Sequence, residues 1–212
     1  GINWRWVDYV RPGVPLAYSA QQVMASNPDV LVLANHGVLF GAESIEKASI
    51  LLDEIENRVK REIRSYEFDD NFNSVESLIS NSDYYLSKNQ SIHSLAFDET
   101  ACFIASKGTL YPDHVVFLGA GPMTVLSIKE FKVYLKDNYF GKIDDKKNII
   151  IVRNLGVFIL KNLGEIEESM LHCLSNILLR TQSDDELRYL SEQEEAELVN
   201  WDAEKYRKSI QR

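Results

Sequence analysis

The sequence predicts an α/β fold in which helices pack on a sheet. Two patterns indicate it: short aliphatic runs bounded by turn residues, typical of buried strands, and longer segments with apolar residues at steps of three and four, typical of amphipathic helices. The two patterns alternate along 212 residues, a length suited to one large domain or two small ones. A chain of this size can bury a core without disulfides to stabilise it.

The first forty residues begin this alternation. Residues 4–15 are expected to be extended up to a proline–glycine turn, and residues 16–25 to form a short helix. A continuous aliphatic run at residues 30–33 is interrupted by Asn35-His36-Gly37 and resumes at residues 38–40. Aliphatic runs of this length between turn residues predict a pair of buried strands.

The clearest helix is predicted after Ser44. The residues that form its apolar face are Ile45, Ala48, Leu52, Ile55 and Val59. Ser44 is a candidate N-cap, although Lys47 stands where a capping box has glutamate. Acidic residues at the start of this segment and basic residues at its end suit the helix dipole.

The second half of the chain repeats the alternation after a polar stretch. Residues 65–100 are rich in Asn, Ser and Asp, and short helices are predicted in them near residues 75–79 and 83–86. The elements predicted after this stretch are a strand at residues 115–118, a helix at 127–135, a strand pair at 148–160, a helix at 166–180, and a charged tail helix anchored by Leu198, Trp201 and Tyr206. The acidic run at residues 192–197 is expected to face solvent.

Two segments of the chain, 119 residues apart, have the same order of polar, aliphatic and turn residues. Residues 29–40 hold a polar residue, an aliphatic run, Asn-His-Gly and three apolar residues, and residues 148–159 follow the same plan. Identities are few, so duplication and chance convergence on a strand–turn–strand–helix unit both remain open. If the segments are related, only the first can carry histidine chemistry, because Leu155 stands where the first has His36.

Charge and hydropathy exclude two classes of function. The chain has 23 Lys and Arg against 32 Asp and Glu, a net charge of -9, whereas nucleic-acid binding depends on cationic neutralisation of phosphates. No apolar run approaches the ~20 residues that a membrane helix needs. We therefore expect a cytoplasmic protein that binds neither nucleic acid nor membranes. The two cysteines, Cys102 and Cys173, have no metal-binding spacing and are expected to be buried or half-buried thiols.

His36 has the strongest case for chemistry among single residues. A neutral imidazole is the commonest metal-binding side chain, and Gly37 lets the backbone turn so that the ring projects from the end of the strand. A lone histidine in a strand is also compatible with a structural role, because catalytic zinc takes three protein ligands and a water.

The remaining histidines have weaker cases. Asp113-His114 could supply a second ligand pair or could form local hydrogen bonds at a strand entrance. His93 lies in a polar stretch and is expected to be exposed. His172 and Cys173 are neighbours on a predicted helix and point to different faces, which argues against a metal pair. Gly119-Ala120-Gly121 predicts a tight turn, because the third glycine of a dinucleotide-binding loop is missing.

The segments VDYVRPGVPLA and DVLVLANHGVLFGAESIEKASILLDEIE resemble the class II aldolase/adducin family. In that family a proline–glycine segment precedes a helix, a strand then delivers an Asn-His-Gly triplet, and a glycine and an amphipathic helix follow. This match covers about residues 6–60. The segments LYPDHVVFLGAGP and YLSEQEEAELVNWDAEKYR resemble the long-form members, including rhamnulose-1-phosphate aldolases fused to a short-chain dehydrogenase. The resemblance is weak across residues 65–100.

The resemblance implies a zinc-dependent retro-aldol cleavage of a sugar phosphate, from a ketose 1-phosphate to dihydroxyacetone phosphate and an aldehyde. It makes His36 the last of three zinc histidines and zinc the cofactor of the full-length enzyme. The family's His-x-His pair, its general acid/base glutamate and its phosphate-binding loop lie upstream, so no catalytic residue is identified in this chain. The family also implies a three-layer αβα fold with a largely antiparallel sheet, and homo-oligomers.

The four histidines of this chain are not spaced as His-x-His, and the chain opens at Gly1 with an aromatic-rich segment. We therefore expect a truncated domain that is incomplete at its N-terminus and inactive on its own. Residues 1–64 would be the C-terminal part of a class II aldolase-like domain, residues 65–100 a polar connection, and residues 101–212 a second, degenerate aldolase-like α/β unit with a C-terminal helix. Two alternatives remain: a non-catalytic, adducin-like binding or assembly module, and an epimerase, which shares the enolate intermediate.

Overall fold

The computed structural model describes residues 1–68, 73–143 and 146–210. The chain forms two compact units, one of residues 1–62 with 110–112 and one of residues 63–109 with 113–212. Each unit combines helices with a small mixed sheet, so the predicted α/β class is confirmed at this level. Within the described ranges, no helix has the length and apolar character needed to cross a membrane.

The first unit contains one three-stranded sheet and two helices. Its elements are β1 (Trp4–Val7), α1 (Val14–Val23), β2 (Val30–Leu33), β3 (Gly37–Phe40) and α2 (Ile45–Val59). The strand order is β1-β2-β3, with β1 parallel and β3 antiparallel to the central strand. These bounds confirm that a strand pair and both predicted helices form. The prediction that both strands are buried is wrong for β3, whose first three residues are exposed.

Local sequence explains where the helices of this unit begin. Gly13 precedes α1 with a φ of 93°, a backbone region that favours glycine, and a proline stands in the first turn. The hydroxyl of Ser44 accepts a hydrogen bond from the backbone N–H of Lys47 at 3.3 Å, which confirms the predicted N-cap. Of the apolar face of α2, Ile55 is the residue that is buried.

The second unit contains a four-stranded sheet and most of the helices. Its elements are α3 (Asn73–Ile79), β4 (Tyr84–Leu86), α4 (Ser94–Phe97), α5 (Glu99–Ala105), β5 (Thr124–Leu126), α6 (Ile128–Tyr139), β6 (Ile149–Val152), β7 (Gly156–Leu160), α7 (Glu165–Arg180), α8 (Glu192–Val199) and α9 (Asp202–Ile210). The strand order is β4-β7-β6-β5, and the β5–β6 pair is parallel. Every residue of β6 and β7 is buried, so this sheet forms the core of the unit together with Tyr84 and Phe131.

Two elements of the second unit differ from the prediction. Residues 84–86 form a strand, not a helix, because they pair antiparallel with β7. His114–Leu118 form a single π-helical turn, not a strand. All five of its residues are buried, and a short apolar run that is buried throughout has no periodicity to separate helix from strand.

The predicted tail helix is divided into α8 and α9. Leu198 is fully buried and anchors α8 as expected, whereas Tyr206 is 67% exposed and is not an anchor. Ser191 and Glu194 form a capping box at the start of α8, and Ser127 and Glu130 form another at the start of α6. These boxes fix both helix starts by satisfying backbone N–H groups that have no partner within the helix.

The strands β1-β2-β3 and β5-β6-β7 share one plan. In both sets the first strand is parallel to the second and the third is antiparallel to it. The register also agrees at the offset of 119 residues: Leu33 lies opposite Gly37, and Val152 lies opposite Gly156. We name the β2–β3 pair the first hairpin and the β6–β7 pair the second hairpin.

The turns of the two hairpins have the same backbone conformation. Asn35 and Asn154 are both left-handed, with φ values of 58° and 55°. The glycines two residues later, Gly37 and Gly156, have φ values of 126° and 146°. Agreement in strand direction, register and turn conformation favours duplication over chance convergence.

Candidate functional site

His36 lies at the tip of the first hairpin. Its backbone N–H donates to the carbonyl of Leu33 at 3.0 Å, which closes the turn. The turn needs positive φ at Asn35 and at Gly37, and asparagine and glycine are the residues that adopt such values most readily. Asn35 and Gly37 are thus suited to the backbone of this turn, and His36 lies between them.

The ring of His36 is held by the segment that precedes α1. Its Nε2 atom lies 2.9 Å from the carbonyl oxygen of Val10. A carbonyl can only accept, so Nε2 donates and the ring's lone pair is on Nδ1. The ring of Tyr9 stacks on the imidazole, with centroids 5.1 Å apart and planes at 12°. These two contacts fix both the tautomer and the orientation of a half-buried imidazole.

Asn35 ties the hairpin to a distant part of the same unit. Its side-chain Nδ2 donates to the carbonyl of Leu110 at 2.9 Å, and residues 110–112 belong to the first unit. Asn35 therefore supplies both the left-handed conformation of the turn and a hydrogen bond that holds the tip in place.

His36 does not belong to a group of potential metal ligands within the described residues. Within residues 1–68, 73–143 and 146–210, no three His, Cys, Asp or Glu side chains are grouped so that they could hold a metal ion. Catalytic zinc takes three protein ligands, and His36 can supply one. Its own arrangement suits a ligand, because metal-bound histidines commonly donate their other ring N–H to a backbone carbonyl.

His114 is enclosed in the second unit. Its side chain is 1% exposed in the π-helical turn, and burial lowers its pKa to about 4. The adjacent carboxylate of Asp113 pairs with Arg207. Neither residue belongs to a group of potential metal ligands in the described part of the chain, so the structure lends no support to a second ligand pair here.

His93 was expected to be exposed, and this prediction is wrong: it is 1% exposed. Its Nε2 donates to the carbonyl of Ser87 at 3.0 Å, and its Nδ1 accepts from the backbone N–H of Val157 at 3.1 Å. Burial lowers its pKa. The ring therefore joins the segment after β4 to the second hairpin, a structural role. The apolar neighbours Ile92 and Leu95 were the sequence signal of burial.

The two cysteines differ in environment. Cys102 is buried in α5, and burial raises the pKa of its thiol, which agrees with the prediction. Cys173 is exposed, so its predicted burial is wrong. It lies on α7 beside the exposed His172, and neither belongs to a group of metal ligands within the described residues.

The predicted glycine turn is present and is held by a buried acid. Gly119 and Gly121 have φ values of 110° and 78°. The carboxylate of Glu195 accepts a hydrogen bond from the backbone N–H of Gly121 at 3.0 Å and another from the hydroxyl of Thr109. Glu195 is 6% exposed, so the prediction that residues 192–197 all face solvent is wrong at this position.

Comparison with protein-family models, with curated proteins and with solved structures finds no match to this chain. The candidate site is therefore described by its geometry alone. It is one oriented, half-buried imidazole at the tip of a tight hairpin in a small α/β unit.

Proposed function

We propose that this chain is the C-terminal part of a zinc-dependent class II aldolase that cleaves a sugar phosphate, with His36 as one zinc ligand. The observation that carries the proposal is the hydrogen bond from His36 Nε2 to Val10, which leaves the lone pair on Nδ1. The other ligands and the general acid/base belong to polypeptide outside residues 1–212. The proposal includes the family's three-layer fold with a largely antiparallel sheet.

The role of this chain in the reaction is to hold the metal. His36 would be one ligand of this zinc, and the metal would supply Lewis-acid chemistry for a substrate carbonyl. Val10 and Tyr9 prevent rotation of the His36 ring, so the ligand is oriented before a metal ion binds. No catalytic step is assigned to other residues of the chain.

Self-association is part of the proposal. Trp4 and Trp6 lie on β1 and are 55% and 53% exposed. Exposed aromatic side chains on one strand are typical of surfaces that another chain covers.

A second function, a non-catalytic adducin-like binding or assembly module, is favoured by the second hairpin. There Leu155 stands in place of His36 and packs against the apolar core of its unit. The same turn is thus used with no histidine, so this fold does not depend on metal chemistry.

Zinc content separates the two functions. We would measure intact mass and bound metal for the 212-residue chain, and for the same polypeptide extended through the coding sequence upstream of residue 1. The proposal predicts no zinc on the 24.3 kDa chain and one zinc on the extended protein. His36→Gln should remove that zinc, and His172→Gln, at an exposed histidine, should retain it. Release of dihydroxyacetone phosphate from a ketose 1-phosphate should occur only in the proteins that retain zinc.

Each other result has a defined meaning. One zinc on the 212-residue chain would show that its own residues complete a site and would contradict the proposal. An extended protein with neither zinc nor lyase activity would support the binding module. Zinc-dependent conversion of the substrate to its epimer, without cleavage, would identify an epimerase.

A further inference from the structure

The outer edge of the first unit's sheet differs from the same edge in the second unit. Within the described residues, β3 is an edge strand, whereas its counterpart β7 is covered by β4. The residues of β7 that pair with β4 are Phe158, Ile159 and Leu160. At the offset of 119 residues they correspond to residues 39–41.

Side chains of β3 are also more exposed than the side chains at the corresponding positions of β7. Val38 and Leu39 are 44% and 53% exposed, whereas their counterparts Val157 and Phe158 are fully buried. An exposed, apolar edge strand is a template for the addition of another strand.

The helices that follow the two sheets show the same contrast. Leu52 and Val59 of α2 are 38% and 67% exposed, whereas Leu171 and Leu178 of α7, their counterparts, are fully buried. In the second unit α7 packs against α4, α5, the turn that ends at His93 and the π-helical turn His114–Leu118. The first three of these lie in the segment that follows β4.

The surroundings of Gly37 and Gly156 identify the segment that packs against the second hairpin and has no counterpart at the first among the described residues. A Cβ added to Gly156 would lie 2.7 Å from Cδ1 of Leu86 and 3.2 Å from Nδ1 of His93. At Gly37 no atom of the described residues lies within 4 Å of such a Cβ. The stretch from β4 to His93 therefore packs closely against Gly156 of the second hairpin, whereas no described residue comes as near to the matching Gly37.

We propose that the first unit binds a strand-and-helix segment built like residues 84–105, which adds antiparallel to β3 and covers the exposed stripe of α2. The segment comes from the same polypeptide ahead of β1, because in the second unit β4 precedes its sheet in chain order. Its strand carries apolar side chains like those of Tyr84 and Leu86. The inference rests on the internal repeat and not on the proposed enzymatic activity.

The backbone groups that would bind this strand follow from the second hairpin. The N–H of Val157 donates to His93, and its carbonyl accepts from the N–H of Ser87 at 3.3 Å. Both groups thus face the covering segment. The matching groups of Val38, and by the alternation of a strand those of Phe40, face the outer edge of β3.

Amide hydrogen exchange tests the proposal directly. We would compare the 212-residue chain with the polypeptide extended through the coding sequence that precedes residue 1. The amides of Val38 and Phe40 should exchange more slowly in the extended protein by about tenfold or more, while that of Val157 stays equally protected in both.

A pair of variants of the extended protein serves as the control. Leu39→Lys places a charge on the sheet face where the counterpart Phe158 is fully buried, so it should oppose the covering of this unit and restore fast exchange at Val38 and Phe40. Tyr18→Lys adds the same charge at another exposed site, on α1, and should leave the protection intact. Far-UV circular dichroism would verify that both variants fold.

Three results would overturn the proposal. Equal exchange of Val38 and Phe40 in both proteins would mean that nothing is added to β3. Protection of these amides in a 212-residue chain that sediments as a dimer would assign the edge to a second copy. A reading frame with no coding sequence ahead of residue 1 would remove the occupant. Amide hydrogen exchange does not depend on bound zinc. The added strand can therefore be detected even if the extended protein has no aldolase activity.

Discussion

His36 and Leu155 occupy the same position in two hairpins of one plan, each between a left-handed asparagine and a glycine of positive φ. The imidazole of His36 donates to the carbonyl of Val10, whereas Leu155 packs against an apolar core. The backbone of this turn therefore does not depend on the residue at its tip. One copy uses that position for a polar, oriented ring, and the other uses it for packing.

The glycines that close the two hairpins should respond differently to alanine. Both have positive φ, and an L residue held there costs about 1–3 kcal/mol. At Gly156 the new methyl group also meets Leu86 and His93, and overpacking adds about 1–3 kcal/mol. Gly156→Ala should therefore reduce the free energy of unfolding by about twice as much as Gly37→Ala.

Urea denaturation of the two glycine variants and of the unsubstituted chain measures this difference. Equal losses for the two variants would mean that the segment from β4 to His93 does not restrict the second hairpin in solution.

Acid should destabilise the second unit through its buried histidines. Burial lowers the pKa of His114 to about 4, whereas a histidine in an unfolded chain titrates near 6.5. Between these values the unfolded chain binds the proton and the folded chain does not. Stability is therefore complete above pH ~6.5 and falls as the pH drops towards 4, by about 3 kcal/mol for His114. Burial lowers the pKa of His93 as well, so this histidine also makes the fold less stable as the pH falls.

The unfolding free energy measured from about pH 7.5 to about pH 3.5 checks this dependence, because these limits bracket the window between the two pKa values. His114→Gln should flatten the curve, because an amide does not titrate. His172→Gln, at an exposed position on α7, should leave the curve unchanged. An unaltered slope in the His114 variant would contradict the assignment.

The pair between Arg64 and Asp98 should contribute far more than the exposed ion pairs. The guanidinium contacts both carboxylate oxygens, at 2.6 and 3.1 Å, and donates to the carbonyl of Leu178 at 2.9 Å. Asp98 also caps α5 by accepting from the N–H of Ala101 at 2.6 Å. The two side chains are 19% and 10% exposed. Removal of one partner from such a pair costs about 3–5 kcal/mol when burial is complete.

We expect Arg64→Ala to reduce the free energy of unfolding by about 2–4 kcal/mol, discounted for partial exposure. Arg64→Lys should recover only part of the loss, because lysine cannot bind a carboxylate in bidentate fashion. The matched control is Arg58→Ala, which breaks an exposed pair with Glu54 and should cost less than about 0.5 kcal/mol. Similar losses at positions 58 and 64 in thermal or urea unfolding would contradict this ranking.

The parts of the fold that the sequence predicts well are those with local causes. Both hairpins follow from aliphatic runs broken by Asn and Gly, because few other residues accept the required backbone conformation. The starts of α2 and α6 follow from serine caps at Ser44 and Ser127. In each case the deciding interaction lies within three residues in the chain.

The parts that the sequence does not predict depend on distant partners. Residues 84–86 are a strand because β7, more than seventy residues later, supplies hydrogen bonds along their edge. His93 is buried because Val157 donates to its ring. At the candidate site, the triplet at residues 35–37 pointed to His36, but no spacing rule identifies the carbonyl of Val10, 26 residues earlier, as the acceptor that orients the ring.

Glu195 should stabilise the glycine turn through its buried carboxylate. One of its oxygens accepts from the hydroxyl of Thr109 and from the backbone N–H of Gly121. Alanine would leave both donors without this acceptor inside the unit, which costs about 1–3 kcal/mol. Glutamine keeps an acceptor oxygen of nearly the same reach, so Glu195→Gln should lose less than Glu195→Ala. Glu197→Ala, on the exposed side of α8, should change stability by less than about 0.5 kcal/mol.

The N–H of Gly121 gives a second, local measurement of the role of Glu195. Its hydrogen exchange should accelerate in Glu195→Ala and remain slow in Glu197→Ala. Equal rates in these two variants would rule out the role assigned to Glu195.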